Sequence, residues 1–249
     1  EATGKSYLHE LRITDAQGNV YKKTQDKFKQ INQYIEILSS LLKALPNSEK
    51  LNIVDMGSGK GYLTFALYDY LTNTLQKPTS ITGIEFREDL VKLCNQIASK
   101  SGFEDLQFEQ GTIDSYNTEA QLNVLIALHA CDTATDDAIY KGIANQADLI
   151  VVAPCCHKQI RREIEKGAGN ENLDFLLRHG TFLERQAEMV TDGIRTLVLE
   201  HFGYSTKVLE FISDAHTPKN VLIIATKKEG AEKSPKALEE IRKAKETFG

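Results

Sequence analysis

The first part of the chain has apolar residues at steps of three and four positions. This spacing places them on one face of a helix. It predicts an amphipathic helix over residues 24–45, with Thr24 as its cap and Pro46 as its stop. Residues 1–48 are therefore interpreted as an N-terminal extension that carries this helix. The apolar positions are Phe28, Ile31, Ile35, Leu38, Leu42 and Leu45.

Downstream of residue 50, short apolar runs alternate with amphipathic segments. The runs predict strands at residues 51–55, 80–85, 106–109, 122–130 and 148–154. The segments predict helices at residues 62–75, 88–101 and 133–144, and helical pattern resumes at 159–165, 173–179 and 182–202. Regular strand–helix alternation is typical of parallel strands with helices on both faces of the sheet.

The last two predicted strands depart from this alternation. They lie at residues 208–213 and 221–226, and only the seven residues 214–220 join them. This link is too short for a parallel crossover, so the two strands must be antiparallel. The predicted fold is α/β and Rossmann-like, with a seven-stranded, mostly parallel sheet that ends in an antiparallel hairpin. This domain is predicted to span residues 49–228, and a charged helix or tail follows at residues 229–249.

Composition narrows the classes of function. The 249 residues carry a net charge of −5, which argues against a protein that coats bulk nucleic acid, and no DNA partner is expected. The longest apolar runs, residues 123–130 and 149–154, are too short to span a membrane. Residues 1–5 lack the apolar core of a signal peptide, so export is not expected. The cysteine pattern is not that of a secreted disulfide framework and favours reduced thiols in the cytoplasm; the cysteines are Cys94, Cys131, Cys155 and Cys156.

A glycine-rich loop lies between the first predicted strand and its helix, with the sequence Asp55-Met56-Gly57-Ser58-Gly59-Lys60-Gly61. Glycines let the backbone approach a ligand, and a helix start supplies free N–H groups. Glu85 ends the next strand 30 residues on, where an acid suits the hydroxyls of a ribose. An acid beside the loop, Asp55, would repel a pyrophosphate but tolerates the sulfonium and amino groups of S-adenosylmethionine. A tight turn with a capping Asp is the alternative.

Two further segments complete the predicted cofactor site. The third strand ends at residues 109–113, where Ile113 is predicted to pack on an adenine and Thr112 to hydrogen-bond near it; a solvated turn is the alternative. Leu128 begins the loop after the fourth strand. The predicted cofactor-binding residues are thus Asp55, Gly57, Ser58, Gly59, Gly61, Glu85, Thr112, Ile113 and Leu128.

Two loops at the carboxyl ends of the fourth and fifth strands have unusual compositions. They contain Leu-His-x-Cys followed by Ala-Thr-Asp (residues 128–136), and Cys-Cys-His (residues 155–157). This pair resembles a family of class I S-adenosylmethionine-dependent methyltransferases that includes the eukaryotic tRNA acceptor-stem ribose 2′-O-methyltransferase. The likeness covers about residues 50–160, and residues 216–220 resemble a further motif of bacterial members. The chain departs from the eukaryotic enzyme in lacking zinc-finger-like segments and in having Asp132 where that enzyme has Gly.

This resemblance implies methyl transfer from S-adenosylmethionine to RNA, with a tRNA ribose hydroxyl as the candidate acceptor. Methyl transfer is an in-line displacement at an activated carbon, so the main task of the protein is alignment. A hydroxyl acceptor also needs a route for its proton, and His129, Asp132 and His157 are the catalytic candidates. As alternatives, Asp132 suits the N-cap of the following helix, and His129 suits a hydrogen-bonded structural histidine.

The cysteines beside these histidines raise the question of zinc. Their spacing is not the paired Cys-x-x-Cys of structural sites, so no metal is predicted and small buried thiols are favoured. A mechanism in which a cysteine bonds covalently to the substrate is favoured less than one in which the protein only aligns donor and acceptor.

The acceptor side is predicted to include Cys156, Lys158, His216 and Lys219. The loop joining the last two strands would lie at the cofactor edge of the sheet, and Arg161 and Arg162 follow Lys158. Together these cations would form a basic mouth for phosphate contacts, whereas a solvated helix face is the alternative. The N-terminal helix is predicted either to cover the pocket or to dock substrate.

Three further interpretations remain open. Asp192 and Arg195 lie among apolar neighbours, where an ion pair or substrate contact is conceivable, but a snorkelling Arg is the simpler prediction. The negative net charge favours a small molecule or a protein side chain as the acceptor instead of RNA. A non-catalytic, cofactor-binding scaffold is the third alternative.

Overall fold

Seven strands among the described residues form a single sheet. The structure is a computed structural model that describes residues 4–45, 50–116, 118, 121–128, 130, 132–166, 173–210 and 220–248. Its strands are β1 (Leu51–Met56), β2 (Thr79–Glu85), β3 (Leu106–Gln110), β4 (Val124–Ala127), β5 (Leu149–Val152), β6 (Tyr204–Glu210) and β7 (Val221–Lys227). Their order in the sheet is β3-β2-β1-β4-β5-β7-β6.

The pairing confirms the predicted fold class. Strand β1 pairs in parallel with β2 and β4, and β2 pairs in parallel with β3. Strand β7 runs antiparallel to both β5 and β6, which gives the expected final hairpin. The helices are α1 (Ser6–Glu10), α2 (Gln25–Ala44), α3 (Tyr62–Asp69), α4 (Glu88–Lys100), α5 (Thr133–Ala144), α6 (Lys158–Lys166), α7 (Asp174–Leu177), α8 (Gly180–His201) and α9 (Pro235–Phe248).

The chain divides into two compact units, Glu1–Ile126 and Ala127–Gly249. The predicted domain boundaries at residues 48 and 228 remain predictions. In the first unit α2 packs against α3 and buries one face, so the predicted amphipathic helix belongs to the core of that unit. The buried residues of this face are Ile31, Tyr34, Leu38 and Leu42.

Thr24 occupies the N-cap position of α2, as predicted, but its side chain does not bond to the helix. Its Oγ1 instead donates to the carbonyl oxygens of Ile13 (2.8 Å) and Tyr21 (3.0 Å). Pro46, the predicted stop, lies outside the described residues. The helix predicted over residues 62–75 changes its hydrogen bonding midway, since a π-helical segment, Tyr70–Thr74, follows α3.

Two strands in the second half of the sequence differ from their predicted ranges. Strand β4 is shorter than the predicted 122–130. Strand β6 begins at Tyr204 instead of residue 208, because Gly203, with φ of +88°, allows the chain to turn directly out of α8. The predicted start of β6 is wrong because the prediction relied on runs of apolar residues. More than half of the positions in the strand carry polar side chains, and Val208 is itself exposed. Residues 211–219 lie outside the described part of the chain.

The second unit has its core between β5, β7 and the helix α8. All four residues of β5 are buried, and Leu183, Ala187 and Leu199 are buried on α8. Helix α9, predicted at residues 235–245, extends to Phe248 and packs against α8. Within the described ranges, no helix has the length and apolar character needed to cross a membrane.

Candidate active site

The glycine loop is held in shape by bonds to the end of β2. Gly57, Gly59 and Gly61 have φ values of +75°, +57° and +68°, a region that strongly favours glycine. The amides of Gly57 and Ser58 donate to the carbonyl oxygen of Ile84 at 2.8 and 3.0 Å. The alternation of glycines therefore follows from the backbone conformation that this turn requires.

Close packing beneath the loop explains a glycine that the sequence reasoning missed. A Cβ on Gly83 would lie 2.5 Å from the ring of Phe108 and 2.9 Å from Ser58 Oγ. Phe108 thus fills the space against the backbone of β2 and supports the loop. A glycine inside an otherwise apolar strand is the sequence signal for such a close approach.

Glu85 bridges the loop and the start of α4. Its Oε2 accepts a hydrogen bond from the Gly59 amide (2.9 Å), and its Oε1 accepts one from the Arg87 amide (3.0 Å). The structure therefore brings together the two parts of the predicted cofactor site, which lie 26 positions apart in the sequence. The next residue, Phe86, is 72% exposed and was not predicted as a site residue. An aromatic side chain directly after the strand-end acid was the available signal.

Asp55 lies beneath the loop, buried, and accepts a hydrogen bond from Thr64 Oγ1. Burial raises the pKa of Asp55 to about 6; the bond from Thr64 opposes this shift, and the charge of Glu85 adds to it. The pKa of Tyr34, on α2, is raised mainly by burial and also by the nearby charge of Asp55. Asp55 is thus a carboxyl group that a nearby positive charge would stabilise in its ionised form.

The loop also presents a polar atom without a partner. Ser58 Oγ is buried and has no hydrogen-bond partner among the described residues. A Cβ on Gly59 would meet nothing within 4 Å, so the space beside this turn is open. An unpaired buried hydroxyl next to open space fits a polar ligand atom.

The remaining predicted cofactor residues lie in less distinctive surroundings. Thr112 is exposed and its side chain bonds to Ser115 within a tight turn, while Ile113 is half-buried. This geometry matches the alternative of a solvated turn. Leu128 is buried at the end of β4. Their contact with a cofactor remains a prediction.

In the second unit, the predicted catalytic His157 is 3% exposed and lies immediately before α6. Its Nε2 lies 3.1 Å from Oδ1 of Asp192 on α8. The same Oδ1 accepts a hydrogen bond from Arg195 Nη1 at 3.0 Å. The ring nitrogen Nδ1 of His157 is buried without a partner in the described part of the chain.

Arg195 does not snorkel as predicted: it is 3% exposed. Its Nε donates to Asp136 Oδ1 (2.7 Å), and its Nη2 donates to Asp136 Oδ2 (3.2 Å) and to the carbonyl oxygen of Asp132 (2.8 Å). Burial alone would lower the pKa of this guanidinium, but the bonds and charges of Asp136 and Asp192 raise it overall. The guanidinium is therefore a fixed, buried positive charge that links the buried Asp192 to the half-exposed Asp136.

Asp132, another predicted catalytic residue, has φ of +54°, a conformation rare outside glycine. Asp132 occupies the N-cap position of α5, as the alternative expected, but its side chain makes no capping hydrogen bond there. Its Oδ1 instead lies 3.4 Å from the amide nitrogen of Gln159, at the start of α6. Asp132 and His157 are both connected to Arg195, whereas His129 lies outside the described residues.

The cysteines within the described ranges are Cys94, Cys155 and Cys156. Cys155 Sγ and Cys156 Sγ are 3.8 Å apart, and both residues are partly exposed. Cys94 is buried with its Sγ 3.7 Å from the Gly59 carbonyl oxygen, and burial together with the charge of Glu85 raises its pKa to about 12. Cys131 is not among the described residues. In the part of the chain that is described, no group of three or more His, Cys, Asp or Glu side chains is arranged to hold a metal ion.

Only some of the residues predicted to form the basic mouth lie within the described ranges. Lys158 and Arg162 are exposed on α6. Arg161 is paired with Glu184 (3.1 Å) and Glu165 (3.5 Å), so much of its charge is already balanced within the helices. His216 and Lys219 lie outside the described residues.

A cavity of about 580 Å³ opens between α5 and α8 in the second unit. Its walls are mainly apolar and include Ile139, Ile143, Ile194 and Val198. Asp132 and Arg195 contribute to its polar lining. A cavity of this size and lining is typical of sites for small apolar molecules.

The strand order, the final antiparallel hairpin and the glycine loop with its two acids define the class: this is an α/β protein with the fold of class I methyltransferases. A family model described as a methyltransferase domain matches residues 26–163, more than half of the chain. The chain belongs to this methyltransferase-domain family.

Curated relatives match most of this chain but are much longer. A glutathione S-transferase C-terminal domain-containing protein of Homo sapiens is 24% identical over 219 residues, which covers 80% of this chain and 32% of the relative. Its counterpart in Mus musculus shows the same identity and coverage. The chain therefore spans about a third of the length of these relatives.

Solved structures similar to this chain share little sequence identity with it. The CMeT domain of a citrinin polyketide synthase is 18% identical, with a TM-score of 0.51, and the match covers 79% of this chain and 52% of that one. A tRNA methyltransferase of B. subtilis is 13% identical, with a TM-score of 0.47, and covers 77% of this chain and 65% of its own.

Proposed function

We propose that this protein is an S-adenosylmethionine-dependent methyltransferase and that residues 55–61, with Glu85, bind the donor. The observation that carries this proposal is the loop itself, in which glycine amides, two carboxylates and an unpaired Ser58 hydroxyl meet beside open space. Glu85 would bind the ribose hydroxyls, and Asp55 would favour the positive charges of the donor. Bound there, S-adenosylmethionine supplies a methyl group activated by its sulfonium.

Calorimetry with S-adenosylhomocysteine, the demethylated product, tests this proposal directly. We expect saturable binding by the folded protein and no competition from NADH, because Asp55 beside the loop disfavours a pyrophosphate. Absence of binding of both S-adenosylmethionine and S-adenosylhomocysteine at millimolar concentration would overturn it.

Phe86 is expected to stack on the adenine, since its exposed ring follows the proposed ribose acid. Phe86→Ala should weaken S-adenosylhomocysteine binding by roughly tenfold, because stacking of a base on an aromatic ring contributes about 1–3 kcal/mol. Calorimetry provides the measurement, and Phe175→Ala, at another exposed aromatic, is the control. Equal affinity of the Phe86 variant and the unaltered protein would remove this assignment.

Donor affinity is expected to rise with pH through the range in which Asp55 ionises. Its pKa of about 6 means that the group is largely protonated at lower pH, where it cannot balance the charges of the donor. S-adenosylmethionine should therefore bind about tenfold more weakly one pH unit below that value than well above it. Asp55→Asn should flatten this profile. A flat profile in the unaltered protein would contradict the role given to Asp55.

The proposed acceptor is RNA, with a tRNA ribose hydroxyl as the candidate, and the proposed location is the cytoplasm. The paired loops at residues 128–136 and 155–157 support this acceptor through their family resemblance. The exposed cations Lys158 and Arg162, directly after the second loop, suit phosphate contacts. His157 and Asp132 are proposed to act on the acceptor, together with His129.

Replacing Lys158 and Arg162 with Ala should weaken RNA binding several-fold and reduce the salt slope by about one for each phosphate that the protein no longer neutralises. Arg161→Ala should have less effect, because Glu184 and Glu165 already balance its charge. Filter binding at several salt concentrations provides the measurement, with Lys236→Ala on α9 as the control. Unchanged affinity and slope in the double variant would exclude α6 from RNA contact.

A second candidate function is methylation of a small apolar acceptor, and the cavity between α5 and α8 favours it. Asp132, a proposed catalytic residue, lines that cavity. Incubation with labelled donor and fractions of RNA, protein and metabolites separates the candidates. Label in RNA supports the first function and label in metabolites the second, whereas label in protein would contradict both. Label in none of them would indicate a scaffold that binds the cofactor without turnover.

A further inference from the structure

The hydrogen bonds around His157 determine which of its ring nitrogens carries the proton. Nε2 faces Asp192 Oδ1 at 3.1 Å, and an ionised carboxylate can only accept hydrogen bonds. Asp192 Oδ1 also accepts a hydrogen bond from Arg195 Nη1 at 3.0 Å, so this oxygen is placed as an acceptor for both neighbours. Nε2 is then the donor, and with the ring proton on Nε2 the nitrogen Nδ1 is left as a hydrogen-bond acceptor.

We propose that Asp192 and Arg195 are positioning residues that hold His157 in its Nε2–H tautomer, so that Nδ1 accepts the proton of the methyl acceptor. This inference rests on the proposed methyltransferase function and deepens it. It assigns a role to two residues that the family motifs do not include.

The unpartnered nitrogen is the observation that points to a ligand. Nδ1 is buried and makes no hydrogen bond within the described ranges. An acceptor left in this state costs about 1–3 kcal/mol, which a purely structural histidine would avoid. A hydroxyl acceptor would satisfy Nδ1 by donating its O–H, and this selects an alcohol or ribose over an acceptor without a transferable proton.

The proton and electrons balance in the proposed step. The acceptor oxygen forms the new C–O bond as the C–S bond of the donor breaks, and the electron pair of that bond stays on sulfur. The acceptor proton passes to Nδ1, giving an imidazolium whose Nε2–H remains bonded to Asp192. The negative charge of Asp192 stabilises this cation, as an aspartate does in other histidine-dependent sites.

Arg195 connects the pair of His157 and Asp192 to the loop before α5, which contains Asp132. Its Nη2 holds the carbonyl oxygen of Asp132, and its Nε holds the side chain of Asp136. One guanidinium thus fixes both the histidine partner and the strained turn at Asp132. The two proposed acceptor-side residues, Asp132 and His157, are therefore expected to respond together to changes at Arg195.

The test is Asp192→Asn in the full chain, read by ¹⁵N NMR of the His157 ring. The amide keeps the size of the carboxylate, and its oxygen can still accept from both Nε2 and Arg195, but it carries no negative charge to stabilise an imidazolium. In the unaltered protein we expect an unprotonated Nδ1 and a protonated Nε2. In the variant we expect the same tautomer, with turnover lower by about 10²- to 10⁴-fold and unchanged S-adenosylhomocysteine affinity.

The experiment distinguishes failure of this inference from failure of the proposed function. The ring signals are assigned with His157→Gln, and Asp174→Asn on α7 is the matched control. A Nδ1–H tautomer in the unaltered protein, measured without any variant, would overturn the inference even if Asp192→Asn fails to fold. A folded Asp192→Asn variant with full turnover would overturn it as well. Failure of the unaltered protein to bind S-adenosylhomocysteine would instead contradict the proposed function.

Discussion

Glu85→Gln is expected to weaken S-adenosylhomocysteine binding by about 100-fold. The carboxylate accepts hydrogen bonds from the Gly59 and Arg87 amides on its two oxygens. A glutamine can accept only one of these, and its NH₂ would face the other N–H. The variant also loses the charge proposed to bind the ribose hydroxyls, and hydrogen bonds to charged groups contribute about 1.5–3 kcal/mol each.

Calorimetry at neutral pH measures this loss. The control is Glu104→Gln, an exposed acid before β3. Circular dichroism at increasing temperature checks that the variant is folded at the temperature of the titration. An affinity within threefold of that of the unaltered protein, in a folded variant, would show that Glu85 only shapes the loop.

Arg195→Met is expected to lower the free energy of unfolding by about 3–5 kcal/mol, the range for breaking a buried ion pair by removing one partner. The change leaves Asp192 buried with an unbalanced charge, and it releases Asp136 and the carbonyl of Asp132. Methionine retains much of the apolar stem, so most of the loss would come from the charge network and little from packing.

Urea denaturation followed by circular dichroism measures this effect. Arg185→Met, at an exposed arginine of the same helix, is the matched control and should change the free energy by less than about 0.5 kcal/mol. The double variant with Asp192→Asn should recover part of the loss, because it removes the unbalanced charge. Equal stability of Arg195→Met and the unaltered protein would show that the network contributes nothing net.

Local patterns were sufficient to predict the sheet and the glycine loop. A strand, a turn of alternating glycines and a helix lie within 25 residues, so spacing alone locates them. Strand β6 was placed four residues late, because its polar alternation carries a weaker signal than the apolar run beyond it. Its start depends on the turn at Gly203, which apolar periodicity does not report.

The acceptor-side network could not be predicted in the same way. Arg195 has its partners Asp136 and Asp132 on another helix and loop, 59 and 63 positions away. An arginine among apolar helix neighbours suggests a side chain whose charged end reaches solvent, and only the three-dimensional arrangement shows which acceptors bind that charged end instead. Phe108 beneath Gly83 is a similar case, since two adjacent strands bring them into contact.

The backbone conformation of residues 57–59 is fixed by bonds within the protein: two amides to Ile84 and one to Glu85. A donor entering this turn would not have to order the chain around itself. Its association would thus avoid the entropic penalty of folding a disordered segment, and affinity would be governed chiefly by how fast the molecule leaves.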